Sequence, residues 1–215
     1  MNDQEIEIIN SSTRNEKIKI FFKSYLKIII TIFILILVII SSMFLYKDYA
    51  FKQKIKISDQ FNNIVISYND KNKSNTLDKL DSIILSKDST YAPLSLYFIL
   101  ENNLLESQEK INQYFDIIIN EIGLDEDLKN LNIYKKGLYN SNFQQEDQIL
   151  NILNPILTKD NPWKSHALYL AAEYYYNKNE MQKSKEFYLK IINLETSNKE
   201  IKLKAQLRIQ RDFSE

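Results

Sequence analysis

Few side chains in this chain have the types and the spacing that catalysis requires. The single histidine, His166, follows Ser165, so a Ser/His/acid triad would need a distant carboxylate in one specific arrangement. Asp125, Glu126 and Asp127 form an acidic cluster, but it lies in a break between apolar segments, where carboxylates cap and solvate a helix start. One histidine with surface carboxylates is also a poor metal site. We therefore predict no catalytic, metal or cofactor site and do not expect an enzyme.

The composition of the 215 residues excludes several further classes of protein. The 28 basic side chains equal the 28 acidic ones in number, and only three are arginine, so nucleic acid is an unlikely partner by charge and by residue type. The absence of cysteine excludes disulfides, thiolate catalysis and cysteine-ligated zinc. Two glycines are too few for a glycine-rich phosphate loop. Binding to a protein or to lipid is the kind of function that this composition leaves open.

A long apolar run near the N-terminus indicates a membrane-spanning helix. No residue between Lys27 and Lys47 is charged, and residues 28–46 would extend about 28 Å as a helix, close to the ~30 Å of hydrocarbon in a bilayer. A cleaved signal peptide has a shorter apolar region, and Asp48 before Ala50 leaves no cleavage motif. A buried core helix would have a polar face. We predict an uncleaved transmembrane helix that contacts membrane lipid.

The charges beside this helix favour one orientation in the membrane. The N-terminal flank carries five basic residues, which tend to stay in the cytoplasm: Arg14, Lys17, Lys19, Lys23 and Lys27. The other flank carries four lysines, so the difference in charge is small: Lys47, Lys52, Lys54 and Lys56. A long C-terminal domain is translocated largely regardless of its charge. We predict a cytoplasmic tail over residues 1–27 and a C-terminal domain on the outer side.

The rest of the chain has helical spacing of its apolar residues and no sustained strand-like alternation. We predict a helical stalk over residues 47–73 and a helical domain over residues 74–215, in which Thr76 caps the first helix. Further helices are predicted near residues 91–103, 106–121, 126–140 and 145–158, then two helices within 161–192. The last helix is predicted to close the stack with a wet outer face and to bury Ile201, Ala205 and Ile209.

Residues 161–192, "NPWKSHALYLAAEYYYNKNEMQKSKEFYLKII", combine small and aromatic residues at fixed intervals. The tetratricopeptide pattern W-x2-L-G-x2-Y, followed by A-x3-F, resembles the following repeat-packing residues: Leu168, Ala171, Ala172, Tyr175, Ser184 and Tyr188. Small residues at 172 and 184 would let two helices approach closely, while the two tyrosines would fill the space beside them. The predicted fold is all-α: an N-terminal transmembrane helix followed by tetratricopeptide-like antiparallel helix hairpins that stack as an α-solenoid.

Earlier hairpins fit the same pattern less well. Gly137 precedes Ala172 by 35 residues, near the period of about 34 in this repeat class. Lys136 and Asn140 depart from the pattern, since an apolar residue and a tyrosine are expected there. Residues 91–122 would form a still weaker unit. These departures affect the expected shape of the central groove.

The resemblance also implies a binding groove. In tetratricopeptide domains the first helix of each repeat lines the concave surface, which assigns that role to His166, Tyr169, Glu173 and Tyr176. Tyrosine offers a large contact area with a polar end, which suits recognition of a protein partner. The alternative is that these aromatic side chains pack against the neighbouring helix.

The order of segments along nearly the whole chain resembles the single-span tetratricopeptide-like proteins related to YfgM, the ancillary subunit of the SecYEG translocon. This resemblance implies a bacterial inner-membrane protein with a periplasmic repeat domain, near the translocon, periplasmic chaperones and secreted clients. Its activity would be binding and not chemistry. A second hypothesis is a cell-envelope scaffold that coordinates wall synthesis or outer-membrane assembly and is unconnected with secretion.

Overall fold

The computed structural model describes residues 3–213, and side chains from residue 16 onward except those of residues 17, 18, 22 and 29. The described residues form helices and no strand, which confirms the predicted all-α class. The nine α-helices are α1 (Asp3–Ser67), α2 (Lys73–Leu85), α3 (Tyr91–Glu101), α4 (Gln108–Asn120), α5 (Glu126–Asn140), α6 (Glu146–Thr158), α7 (Lys164–Asn177), α8 (Met181–Asn193) and α9 (Lys199–Asp212). A short 3-10 turn, Asp70–Asn72, precedes α2.

The chain divides into two compact units after Lys56, and the first unit consists of the greater part of α1. Among the described residues, α1 is the one helix long and apolar enough to span a membrane, and its apolar window is fully unburied. Two hydroxyls in this stretch bond back to the helix: Thr31 Oγ1 donates to the Lys27 carbonyl at 2.9 Å, and Ser42 Oγ to the Val38 carbonyl at 2.8 Å. Such bonds satisfy polar groups that hydrocarbon cannot.

The predicted tail, span and most of the predicted stalk all belong to α1, which is unbroken from Asp3 to Ser67. The boundaries proposed at residues 27/28 and 46/47 therefore fall inside one helix and stay predictions.

The second unit begins at Ile57 and contains the last turns of α1 together with α2 to α9. From α2 onward each helix packs against the next one in the chain, and α7 also contacts both α5 and α9. One apolar core runs from Ile64 to Tyr175, and a second lies between α7, α8 and α9. Because α7 contributes to both cores, it is apolar on more than one side, whereas its neighbours bury a single face.

Side-chain hydrogen bonds between distant helices recur at a nearly constant sequence separation. Six pairs of residues are separated by 33 to 36 positions: Ser58 and Tyr91, Asp81 and Tyr114, Tyr97 and Asn132, Asp160 and Thr196, Ser165 and Asn198, and Glu173 and Arg208. These pairs occur from the end of α1 to α9. The bonds between helices in this set link α1 to α3, α2 to α4, α3 to α5 and α7 to α9.

Local hydrogen bonds fix where individual helices begin. Asp125 caps α5, since its carboxylate accepts from the Leu128 N–H at 2.8 Å, and this confirms the expected capping role in the acidic cluster. Thr76, in contrast, is not a cap. Helix α2 begins earlier because Asn69 and Asn72 form a reciprocal capping box around the preceding turn, and Thr76 lies buried inside the helix.

Helix α9 buries Ile201 and Ala205 as predicted, and Ile209 is half-buried. Its outer face differs from the expected wet surface, because Leu203 and Leu207 are each 56% exposed there. Residues 203 and 207 lie one helical turn apart on the side opposite the buried pair.

Candidate interaction surface

The α7–α8 hairpin is closed by small buried residues. Ala172 and Ser184 are fully buried, and Ser184 Oγ donates to the Ala172 carbonyl at 2.9 Å. This bond links the two helix backbones through one short side chain, which only close approach permits. All six predicted repeat-packing residues are buried: Leu168, Ala171, Ala172, Tyr175, Ser184 and Tyr188. Tyr175 belongs to the larger core, and Tyr188 to the smaller one.

Two of the three buried tyrosines of this hairpin, Tyr175 and Tyr188, donate to a carboxylate. Tyr175 OH donates to Glu146 Oε1 at 2.7 Å, and its ring stacks on Phe187 with the centroids 5.4 Å apart. Burial raises the pKa of Tyr175, and the Glu146 carboxylate raises it further. Glu146 also accepts from Lys183 Nζ at 2.8 Å, and this bond is the main reason that the Glu146 pKa is lowered. The phenols are therefore neutral donors: Tyr175 ties α7 to α6, and Tyr188 ties α8 to Glu173 of α7.

Glu173, one of the four predicted groove residues, is held by α8 and α9. Arg208 Nε donates to Glu173 Oε1 at 2.8 Å, Arg208 Nη2 donates to the other oxygen, and Tyr188 OH also donates to this carboxylate. Burial alone would raise the pKa of Glu173, but the bonds from Arg208 and Tyr188 together lower it. The negative charge of Glu173 is thus compensated by the guanidinium of Arg208.

Tyr169 and Tyr176 lie against residues outside α7. The Tyr169 ring meets the edge of Tyr188 with the centroids 5.6 Å apart, and Tyr176 meets Phe213 at 6.3 Å. The Arg208 guanidinium also covers the Tyr176 ring at 4.5 Å. Both tyrosines are half-buried, so each keeps one side open to solvent while the other packs on a neighbour. These contacts show packing against neighbouring helices, and the partner-binding role of both tyrosines stays a prediction.

His166 joins an aromatic group formed by α5 and the start of α7. Its ring lies 5.1 Å from Trp163 and 6.0 Å from Tyr134, and Tyr134 stacks on Trp163 at 5.6 Å. Burial lowers the pKa of His166, against the smaller opposing effects of the Pro162 backbone and Glu200. Its buried Nδ1 has no hydrogen-bond partner in the described part of the chain.

The neighbouring Ser165 is buried and accepts a hydrogen bond from the Asn198 N–H at 3.3 Å, through its Oγ. Among the described residues, no group of three or more histidine and carboxylate side chains has a metal-binding arrangement. The contacts of His166 and Ser165 described here are packing contacts within the protein.

The predicted groove residues divide into two neighbouring places. Tyr169 and Glu173 line a depression between α7 and α9, together with Lys204, Leu207, Arg208, Gln210 and Arg211. His166 lies instead with the aromatic residues of α5 and α7. Lys204 lines the depression beside Tyr169, and Tyr169 and Tyr134 both raise the pKa of Lys204, so the two places are close together. We call this continuous face of α5, α7 and α9 the aromatic face.

Sequence reasoning missed the members of the aromatic face outside α7. Tyr134 precedes His166 by 32 residues and Arg208 follows Glu173 by 35, so the repeat interval itself would have found both. A separate contact joins α5 to α3, where Lys135 Nζ lies 4.2 Å over the Tyr97 ring. Tyr97 OH donates to Asn132 Oδ1 at 2.8 Å, and burial raises its pKa to about 12.

Comparisons with protein-family models, with curated proteins and with solved structures find no match to this chain. The function proposed below therefore rests on residues and contacts within the chain, together with the resemblance of its sequence pattern described above.

Proposed function

We propose that this protein is a membrane-anchored, tetratricopeptide-like interaction module that binds a partner protein through its aromatic face. The observation that carries the proposal is the recurrence of inter-helix contacts at 33 to 36 residues in the second unit. Tetratricopeptide repeats have a period of about 34 residues, and stacked hairpins with that period create extended concave surfaces for binding.

The chemistry of the aromatic face supports binding. Tyr134, Trp163, His166 and Tyr169 are half-buried rings with polar ends, and Lys204 borders them. Aromatic residues of this kind supply much of the energy of protein interfaces, because they bury a large area with little loss of side-chain freedom. The carboxylate and guanidinium groups nearby are already paired, which favours a surface for recognition over a site for proton transfer.

The anchor gives the binding function its location. In this proposal residues 28–46 span the bacterial inner membrane, residues 1–27 are cytoplasmic and the helical domain is periplasmic. Following the resemblance to YfgM-related proteins, the partners are the SecYEG translocon, periplasmic chaperones or secreted clients. Confinement to the membrane raises the effective concentration of the domain near partners that are also confined, so a modest affinity is sufficient.

Site-specific crosslinking in native membranes tests the proposed partners. A photo-crosslinking amino acid at position 166 is expected to capture a translocon subunit or a periplasmic chaperone. The same amino acid at exposed Gln182 on α8 is the matched control and should capture neither. Capture of wall-synthesis or outer-membrane assembly proteins instead would support the envelope-scaffold hypothesis. Failure to capture any protein at position 166 would refute the proposed binding surface.

The topology has its own test, because the natural chain has no cysteine. A single cysteine at exposed Glu106 should react with a membrane-impermeant thiol reagent in spheroplasts. A single cysteine at Ser11 should react only after permeabilisation. The reverse pattern would place the helical domain in the cytoplasm and contradict the proposal.

A further inference from the structure

The outer face of α9 is an exposed apolar ridge on a firmly held helix. Leu203 and Leu207 are each 56% exposed and lie opposite Ile201 and Ala205, which are buried. The last helix of a helical stack normally turns a polar face outward to keep the protein soluble. Two leucines one turn apart are the arrangement through which one helix packs against another.

Helix α9 is fixed at both ends, so this ridge has a defined orientation. At its start the Asn198 side chain accepts from the backbone N–H groups of Glu200 and Ile201. Toward its end Arg208 binds Glu173 of α7 and, through Nη1, Asp212 at 2.8 Å. A ridge held in this way loses little freedom when a partner covers it.

The charge of α9 indicates what such a partner carries. The helix Lys199–Asp212 contains five Lys or Arg and two Asp or Glu. Glu200 pairs with Lys204 at 2.7 Å and Asp212 is shared by Arg208 and Arg211, so the helix keeps an excess of positive charge after these pairs are formed. Lys199, Lys204 and Arg211 are exposed beside the ridge. Leu207 also borders the depression next to Lys204 and Arg211, so apolar and cationic surface are contiguous there.

We propose that this ridge docks an acidic amphipathic helix of a partner protein, which packs along α9 as an additional helix at the end of the stack. The partner would place apolar side chains on Leu203 and Leu207 and carboxylates beside Lys199, Lys204 and Arg211. The inference rests on the proposed function as an interaction module. It assigns a second surface to that module, next to the aromatic face, and gives the chemistry of the partner.

The test uses the full chain in detergent micelles and a designed, fluorescently labelled peptide helix. The probe has leucines on one face and glutamates along both borders, and the matched control peptide has lysines in place of the glutamates. The acidic peptide is expected to bind at least about tenfold more tightly than the basic one. Added salt should weaken its binding, because exposed charges are screened.

Variants of α9 localise the binding. Leu203→Gln with Leu207→Gln should weaken binding of the acidic peptide at least about tenfold, since two apolar contacts are lost. Leu138→Gln, at a similarly exposed leucine of α5, is the matched control and should have no effect. Lys199→Glu with Lys204→Glu is a second variant, which keeps the ridge and should also weaken binding.

Three results would overturn the inference: equal binding of both peptides, unchanged binding by the leucine variant, or disulfide-linked dimers formed efficiently by Leu203→Cys, which would make a second copy the occupant. Crosslinking from position 166 separates this inference from the proposed function. If that crosslinking succeeds while the acidic peptide fails to bind α9, docking on the ridge is refuted and partner binding by the aromatic face still holds.

Discussion

The hairpins α5–α6 and α7–α8 have a small residue at the same spacing, but the side chains that fill the two helix interfaces differ in size. Gly137 and Ala172 lie 35 residues apart in the first helices of the two hairpins. A Cβ atom added at Gly137 would lie 2.5 Å from Leu153 Cδ2, so the glycine makes room for a branched side chain on α6. Ala172 instead faces Ser184, whose hydroxyl reaches the Ala172 carbonyl. The α5–α6 hairpin thus pairs a glycine with a leucine, whereas the α7–α8 hairpin pairs two small residues.

The two hairpins also differ in how they bind the preceding helix. Asn140, which occupies the position equivalent to Tyr175, exchanges two side-chain hydrogen bonds with Asn112 of α4, at 3.0 and 2.8 Å. Lys136 Nζ lies 2.7 Å from Asp116 Oδ1. The departures from the tetratricopeptide pattern in α5 are therefore polar links to α4. The two hairpins thus satisfy their buried polar groups in different ways.

The largest effect is expected from overfilling the α7–α8 interface. Ala172→Leu should lower the free energy of unfolding by about 3 kcal/mol, because a fully buried site with a backbone neighbour has no room for three more carbons. Denaturation of the full chain in micelles, followed by the fluorescence of the single tryptophan, Trp163, measures this loss. A loss under about 1 kcal/mol would mean that the hairpin opens easily and that small residues are not required there.

A smaller effect is expected from breaking the amide pair between α4 and α5. Asn140→Ala should cost about 2 kcal/mol, since Asn140 is buried and the change leaves the amide of Asn112 without its partner. Removing both asparagines should cost less than the sum of the two single changes. Strictly additive losses in a double-mutant cycle would show that the pair is not coupled.

The contact between Glu173 of α7 and Arg208 of α9 should make the free energy of unfolding depend on pH. The pKa of Glu173 is lowered in the folded state from its ordinary value of 4.5, so its contribution is complete above that value. As the pH falls through the lower folded-state pKa, this contribution is lost. Glu173→Gln should cost about 1.5 kcal/mol near neutral pH and reduce the loss of stability below pH 4.5. An identical pH dependence in both proteins would exclude Glu173 as a source of acid sensitivity.

The smallest effect is expected at Gly137. Gly137→Ala gains up to about 1 kcal/mol of helix propensity, but the new methyl group forces the Leu153 side chain to move. The net change should stay within about 1 kcal/mol, far below that of Ala172→Leu. Combining Gly137→Ala with Leu153→Val should relieve the clash. A large loss that Leu153→Val does not relieve would place the conflict elsewhere, for example at Leu170.

Much of the helical layout was predictable, because apolar residues at intervals of three and four mark each helix, and breakers such as Asn161 and Pro162 separate them. The start of α2 could not be predicted. The apolar pattern suggested Thr76 as the cap, but the reciprocal cap between Asn69 and Asn72 lies upstream of that pattern. A capping residue can be identified from the sequence only when the other side chains that could cap the same helix are known.

The aromatic face was predictable on α7 alone. The other residues of the aromatic face lie 32 to 35 positions away along the sequence. Their roles depend on which helices become neighbours in space. The pairing of Asn112 with Asn140 is of the same kind, because nothing local distinguishes two bonded asparagines from two solvated ones. The exposed leucines of α9 were missed for another reason: an end helix was assumed to face water on all of its outer side.

The back-bonded hydroxyls of Thr31 and Ser42 have a consequence for lateral recognition. In the membrane-spanning role proposed for α1, these donors are occupied inside the helix, so the two positions would offer a neighbouring transmembrane segment dispersion contacts and little that distinguishes it from lipid tails. Under that proposal, a chimera carrying an unrelated apolar helix in place of residues 28–46 should retain the same associates.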